Sequence, residues 1–247
     1  MLCDSHVHIL PGMDTGRGTA EVTREMAFFM REQGIEASLL CPEYDPITMT
    51  MARFLTVRNA AYERLMSTFD KGDRKRRALL VPAAEVPITD VTVRDPLLSK
   101  LTIPDTHILP CTLPEDGISK KTMEDLTYMM QKRHIFPCFL HFERYIYHYS
   151  NASLHKLLNL HRVMISVSIY HLKDKRVRDA AAHMLRHGRT ILPCTQAKNM
   201  FSTPPMYDFK YTQMISLRDK MLYNRLWRTS DLFFNPLINH WNEKRIY

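Results

Sequence analysis

Short apolar runs alternate with segments of helical periodicity along the chain, and this alternation constrains the fold more than any other feature. Such alternation is typical of parallel sheets, because each helix returns the chain to the edge where the next strand begins. Most of these runs are continuously apolar rather than alternating between apolar and polar residues, which indicates strands that are buried on both faces of the sheet. The runs are residues 2–10, 36–41, 78–82, 107–111, 135–140, 163–169 and 190–193, and the helical segments are residues 21–33, 52–69, 121–133, 153–160, 177–186 and 207–228.

The number of strands predicts an α/β fold in which seven strands close into a (β/α) barrel. A doubly wound open sheet is the second interpretation. Hydrophobic residues make up 45% of the 247 residues, which is enough for a large core. No Pro- or Ser-rich linker divides the sequence, so we predict a single domain over residues 1–247.

The charge and glycine content limit the classes of partner. The formal net charge is +8, which favours anionic partners such as phosphoproteins, although a basic surface also serves solubility alone. The 7 glycines form neither of the two phosphate-binding loops of nucleotide enzymes. The densest basic run, residues 71–77, is typical of a solvated loop, so we predict no nucleic-acid binding. No oligomeric state follows from the sequence.

The cysteines and the N-terminal residues predict a cytoplasmic protein. The 5 Cys are an odd number without a CxxC pair, which indicates buried free thiols in a reducing compartment. The first residues include Asp4, His6 and His8 and lack the basic start of a signal peptide. No apolar run reaches the roughly 18 residues that span a bilayer, so we predict no membrane insertion.

Polar residues with metal-binding chemistry stand at the ends of the predicted strands. His6 and His8 occupy alternate positions of the first strand, Glu85 follows the third, and His141 ends the fifth. In (β/α) barrels the carboxyl ends of the strands meet at the active site. Two histidines and one glutamate would complete a three-ligand site with an open position for water. With 12 His in the chain, two histidines in a loop or in a satisfied core remain the alternative for the pair alone.

Two motifs carry a resemblance to a known family. The segments DSHVHILPGMDTG (residues 4–16) and HFERY (residues 141–145) resemble motifs of the polymerase-and-histidinol-phosphatase (PHP) superfamily. Together they are similar to the bacterial protein-tyrosine phosphatases encoded with capsule and exopolysaccharide genes. Further similarities follow in the same order, including Ala84-Glu85-Val86 and Phe233-Phe234-Asn235-Pro236.

The resemblance implies a distorted (β/α)7 barrel that hydrolyses phosphotyrosine, typically with manganese at a three-metal site. It further implies that the substrate is the tyrosine-rich tail of a membrane-associated kinase that controls polysaccharide export. His6, His8, Asp14, Glu85 and His141 match ligand positions of the family. Arg144 matches an arginine that holds phosphate, which suits the fork of a guanidinium group.

The chain departs from the family motifs at several other site positions. Glu43 stands where the family has a histidine, Pro110 and the neighbouring Cys111 where it has a carboxylate ligand, and Gln196-Ala197-Lys198 where it has Asp-x-His. A second phosphate-binding arginine is replaced by Thr203. A cysteine thiolate is a competent ligand, so Cys111 is either a substitute ligand or a buried apolar residue.

These departures predict a reduced complement of one or two divalent ions, with manganese expected, rather than three. The candidate metal ligands are His6, His8, Asp14, Glu43, Glu85 and His141. At the third position, Asp14 and Glu43 face Lys198, whose ammonium group would occupy the place of the missing cation.

Two functions therefore compete. The first is a metal-dependent phosphotyrosine phosphatase of low activity, in which a water molecule activated by the metal attacks the phosphoester and Arg144 and His141 act on the phosphate. The second is an inactive pseudoenzyme that binds a phosphotyrosine tail as a regulatory partner. Hydrolysis of a small phosphoester within the same superfamily is a third interpretation.

Overall fold

The computed structural model of the chain describes residues 2–13, 18–199, 205 and 220–244, with side chains to residue 241. The described residues form eight parallel strands, and each of the seven predicted apolar runs overlaps one of them, so the predicted α/β fold is confirmed. The strands are β1 (Leu2–Val7), β2 (Ile35–Leu40), β3 (Leu79–Pro82), β4 (Val86–Pro87), β5 (Ile108–Thr112), β6 (Phe136–Phe139), β7 (Met164–Ser168) and β8 (Thr190–Cys194).

The strands pair in chain order into two sheets, β1-β2-β3 and β4-β5-β6-β7-β8, and every pair is parallel. Only three residues separate β3 from β4, so these two short strands follow one another in the same strand position, and the chain passes there from one sheet to the next. When β3 and β4 are counted as one strand, the sheets provide seven strands, as the sequence predicts.

Backbone hydrogen bonds join the two sheets on both sides. On one side, Tyr44 N donates to Glu85 O at 2.9 Å and Glu85 N donates to Pro42 O at 3.0 Å. On the other side, His8 N donates to Ala197 O at 2.7 Å, and Gln196 N donates to His6 O at 3.1 Å. The sheets are therefore linked into a barrel at the carboxyl ends of the strands, although no continuous ladder runs through both of them.

The second of these links, between β1 and the segment after β8, is called the seam. A buried carboxylate reinforces the seam, because Asp4 accepts hydrogen bonds from the backbone N–H and the hydroxyl of Thr195 and from His6 N. Burial raises the pKa of Asp4 to about 7, against the lowering effect of these hydrogen bonds.

Helices connect the strands and cover the barrel. They are α1 (Ala20–Glu32), α2 (Met51–Met66), α3 (Asp90–Arg94), α4 (Lys120–Lys132), α5 (Phe142–His148), α6 (Asn151–Leu158), α7 (Lys175–Arg186) and α8 (Lys220–Lys244). Side-chain caps begin most of them; the Thr19 hydroxyl accepts from Val22 N at α1, and Asp174 accepts from Arg176 N at α7. Gly34, at φ +80°, ends α1 in the left-handed conformation that glycine adopts without strain.

The structure differs most from the predicted helices at the last helix and at two short helices. Of the predicted helix 207–228, residues 207–219 lie outside the described part of the chain, and α8 extends beyond Arg228 to Lys244. Its sequence contains Pro236, which favours an earlier end, but packing of the apolar face against the barrel maintains the helix. The short α3 and α5 were not predicted, because five to seven residues give too little periodicity.

Five cysteines are buried and form no disulfide, as predicted: Cys3, Cys41, Cys111, Cys138 and Cys194. In the described ranges, no helix combines the length and apolar character needed to cross a membrane.

Trp241 anchors α8 to the barrel. Its side chain is fully buried beside Cys3, Phe234 and Ile238, and its indole Nε1 donates to Asp105 Oδ2 at 3.1 Å. We expect Trp241→Ala to lower the free energy of unfolding by about 3–5 kcal/mol, because it removes a large buried side chain and leaves a cavity. Urea denaturation measures this loss, and Leu232→Ala is the matched control because Leu232 lies on the same helix with 69% exposure. Equal stability of the two variants would contradict the docking of α8.

Candidate metal centre

Three histidines and one glutamate converge at the carboxyl ends of the strands. His6 lies in β1, and His8 follows this strand. Glu85 lies between β3 and β4, and His141 follows β6 as the N-cap residue of α5. All four side chains are buried, and they offer ligand atoms that lie within 4.8 Å of one another. The arrangement follows from the parallel topology, because the carboxyl ends of all strands open at the same end of a barrel.

The three imidazoles surround one carboxylate oxygen. Glu85 Oε2 lies 2.8 Å from His6 Nε2 and 3.4 Å from the Nε2 atoms of both His8 and His141. The centroid of the His6 ring lies 4.5 Å from the centroid of the His8 ring and 4.7 Å from that of the His141 ring. Imidazole nitrogens and a carboxylate oxygen at such mutual distances are the donor set of a transition-metal or zinc site.

Burial and mutual contact set the charges of the cluster. Burial, together with the neighbouring His8, lowers the pKa of His6 to about 3, so His6 is neutral at physiological pH. Burial alone would raise the pKa of Glu85, but hydrogen bonds with His141 and His6 outweigh it and hold this pKa well below its usual range. A neutral imidazole beside an ionised carboxylate is the protonation state that a metal ion requires of its ligands.

The cluster also leaves buried polar atoms without partners. Nδ1 of His6 and Nδ1 of His141 are buried and have no hydrogen-bond partner among the described residues. Each buried polar atom without a partner lowers the free energy of unfolding by about 1–3 kcal/mol, so stabilisation of the fold does not explain this geometry. The donor set and its cost together fit a site for a divalent cation.

A cavity of about 220 Å³ opens from the cluster to the surface. Its lining contains His8, Glu85 and His141 together with four other polar residues from the predicted site or its neighbourhood. These residues are Glu43, Arg144, Gln196 and Lys198. Glu43 is exposed at the rim, and it is not part of the group of four close donors.

The predicted phosphate-binding arginine lies at the mouth of this cavity. Arg144 belongs to the first turn of α5, and its half-exposed guanidinium group lies 3.4 Å from Glu115 Oε1 on the loop after β5. The pair is at the surface, where such an ion pair contributes little to stability. The guanidinium group is therefore accessible to an anion that enters the cavity.

Two cavity residues adopt left-handed backbone conformations that non-glycine residues rarely tolerate. His141 has φ +52° and Gln196 has φ +56°, and the strain is of order 1–3 kcal/mol at each position. Because the surrounding fold must compensate for this strain, the two residues are held at defined places in the cavity wall.

The remaining predicted positions lie elsewhere. Asp14 and Thr203 are outside the described residues. Pro110 and Cys111 are buried within β5, and the Cys111 thiol faces Cys138 O at 3.7 Å rather than the cavity. Burial raises the pKa of the Cys111 thiol, which disfavours the thiolate that would bind a metal.

Sequence reasoning missed the role of Glu143, which is buried in the first turn of α5 and bonded to Gln196. The available signal was a second charged residue, beside Arg144, between the aromatic residues Phe142 and Tyr145.

No protein-family model and no curated protein matches the chain by sequence. The fold is similar to a solved structure with a TM-score of 0.70 and 20% sequence identity, over 95% of this chain and 94% of the other. That structure comes from work on YwqE from Bacillus subtilis and CpsB from Streptococcus pneumoniae, which are described there as metal-dependent tyrosine phosphatases. At this identity the similarity establishes the fold, and the fold is the one that the sequence motifs imply.

The burial of Cys111 leads to a prediction about metal binding. We expect Cys111→Ala to leave the metal content of the protein unchanged, because its protonated thiol lies outside the cavity lining. We expect His141→Ala to lower the metal content, because it removes one of the four close donors. Elemental mass spectrometry of the folded variants measures both. A loss of metal in Cys111→Ala would contradict this prediction and indicate that the Cys111 thiol is a ligand.

Proposed function

We propose that the chain is a metal-dependent phosphoester hydrolase that acts on phosphotyrosine and uses one or two divalent ions, with manganese expected. The observation that carries this proposal is the convergence of His6, His8, Glu85 and His141 below an accessible arginine. The fold similarity to metal-dependent tyrosine phosphatases supports the same reaction.

Each residue has a defined part in this reaction. His6, His8 and Glu85 would hold the principal ion, and His141 would bind a second ion or contact the phosphate. A divalent cation at this place supplies Lewis acidity and lowers the pKa of water towards neutrality. The Arg144 guanidinium group binds the oxygens of the phosphate, for which it must exchange its contact with Glu115.

The proposed substrate is a phosphotyrosine protein, such as the tyrosine-rich tail of a polysaccharide-export kinase. The net charge of +8 favours association with a chain that carries several phosphate groups. An open cavity of about 220 Å³ with an arginine at its mouth suits a phosphorylated side chain that enters from outside.

A second candidate function is phosphotyrosine binding without turnover, and two residues of the cavity favour it. Gln196 offers a neutral amide in place of a charged ligand, and Lys198 adds a positive charge to the same cavity. Each preorganised group that stabilises the transferring phosphate contributes about 10²–10³ in rate, so the loss of one ion or donor reduces turnover strongly.

Lys198 provides a reason for the reduced number of ions. We propose that its ammonium group takes the place of a cation near Glu43, with which it shares the cavity lining. A fixed positive charge at this place also repels a further metal ion, which leaves the buried cluster as the principal site.

Metal content and turnover, measured on the same sample, test the proposed function. We expect the purified protein to contain about one ion per chain or more and to hydrolyse a phosphotyrosine peptide and p-nitrophenyl phosphate with added Mn²⁺. His8→Ala removes a metal donor, so it abolishes both metal and turnover, whereas His183→Ala on the exposed face of α7 leaves both unchanged. Folded protein without metal or turnover that still binds the phosphopeptide would favour the binding function instead.

The role of Lys198 gives a separate prediction. Lys198→Met leaves the negative charge of Glu43 without its neighbour, so we expect a lower Tm in the metal-free protein and a smaller loss at high salt. Lys120→Met is the matched control, because Lys120 is an exposed lysine on α4 outside the cavity. Equal Tm values for the two variants in low salt would contradict the role of the ammonium group.

A further inference from the structure

Glu143 is a buried acid for which the proposed reaction has no use. It lies in the first turn of α5 with 2% exposure, behind the wall of the cavity. A buried carboxylate is stable only when its oxygens are hydrogen-bonded or paired. Its Oε2 accepts from Ser168 N at 3.3 Å, and its Oε1 accepts from Gln196 Nε2 at 2.5 Å and lies 3.7 Å from His171 Nδ1.

The bond between Glu143 and Gln196 fixes the orientation of the amide. An ionised carboxylate can only accept, so the NH₂ group of Gln196 must face Glu143. The Gln196 side chain donates through Nε2 to Glu143 Oε1. With its nitrogen held by Glu143, the amide keeps its oxygen for other partners.

The backbone fixes the place from which this oxygen is offered. Gln196 holds the left-handed conformation, its N–H donates to His6 O in the seam, and its side chain lines the cavity with His8, Glu85 and His141. An amide oxygen is a competent ligand for a divalent cation, although it carries no charge.

We propose that Glu143 is a positioning residue that turns the amide oxygen of Gln196 towards the metal site. This inference rests on the proposed function, since it assumes a cation at the four-residue cluster. The negative charge of Glu143 also polarises the amide and makes its oxygen a stronger donor. Glu143 thereby compensates in part for the missing charge of a carboxylate ligand.

A simpler role for Glu143 is to attach α5 to β7 through Ser168 N, and the two roles differ in what they predict for metal affinity. A purely structural role predicts lower stability and unchanged affinity of the folded protein for metal. A positioning role predicts lower affinity, and it predicts that this effect disappears once Gln196 is absent, because the two residues act as one unit.

A double-mutant cycle tests the proposal by titrating Mn²⁺ into chelator-treated protein in a calorimeter. We expect Glu143→Ala to weaken Mn²⁺ binding by about 10- to 100-fold, as is typical when the partner of a metal ligand is removed. In the Gln196→Leu background, the same substitution should cause no further loss. Glu143→Gln retains one acceptor oxygen and should lie between the wild type and Glu143→Ala, and it provides a folded variant if the alanine variant is unstable.

Asp125→Ala is the matched control, because Asp125 is equally buried but pairs with Arg94 and Lys121 far from the cavity lining. We expect it to lower stability and to leave Mn²⁺ affinity unchanged. Unchanged affinity in both Glu143 variants, or an equal loss in the presence and absence of the Gln196 amide, would overturn the positioning role and leave the proposed function intact. A wild-type protein that binds no Mn²⁺ would overturn both the positioning role of Glu143 and the proposed metal-dependent function.

Discussion

The seam between the first strand and the segment after the last is the constraint on which the site depends. Two backbone hydrogen bonds, between His8 and Ala197 and between Gln196 and His6, place residues from opposite ends of the chain in one cavity wall. Asp4 supports the seam from inside the barrel through Thr195. Without these contacts His6, His8 and the amide of Gln196 would have no fixed distance from one another.

The cluster concentrates energetic costs at one end of the barrel. Glu85 loses its hydration, two imidazole nitrogens have no partner among the residues that the structure describes, and His141 and Gln196 hold strained backbones. Close-packed strands elsewhere supply the stability that maintains this arrangement. Such a distribution is typical of functional sites, where backbone strain and unpaired buried polar groups concentrate.

Much of the fold could be predicted because its signals are local. Continuous apolar runs identify strands buried on both faces, and Gly34 marks the end of the first helix. The close approach of His6, His8, Glu85 and His141 also follows from their place at strand ends. The bond between Glu143 and Gln196 could not be predicted, because it joins residues 53 positions apart and depends on the rotation of α5. The burial of Cys111 away from the cavity likewise depends on which face of β5 points inwards.

The seam also determines when the site can exist during synthesis of the protein. His6 and His8 are translated about 190 residues before their backbone partners Gln196 and Ala197. A nascent chain therefore presents His6 and His8 before the seam can form, and the barrel closes only through contacts that are distant in sequence, which form slowly. The cavity wall that Gln196 provides is thus completed only after Ala197 has been made, and a product truncated before this residue lacks the seam.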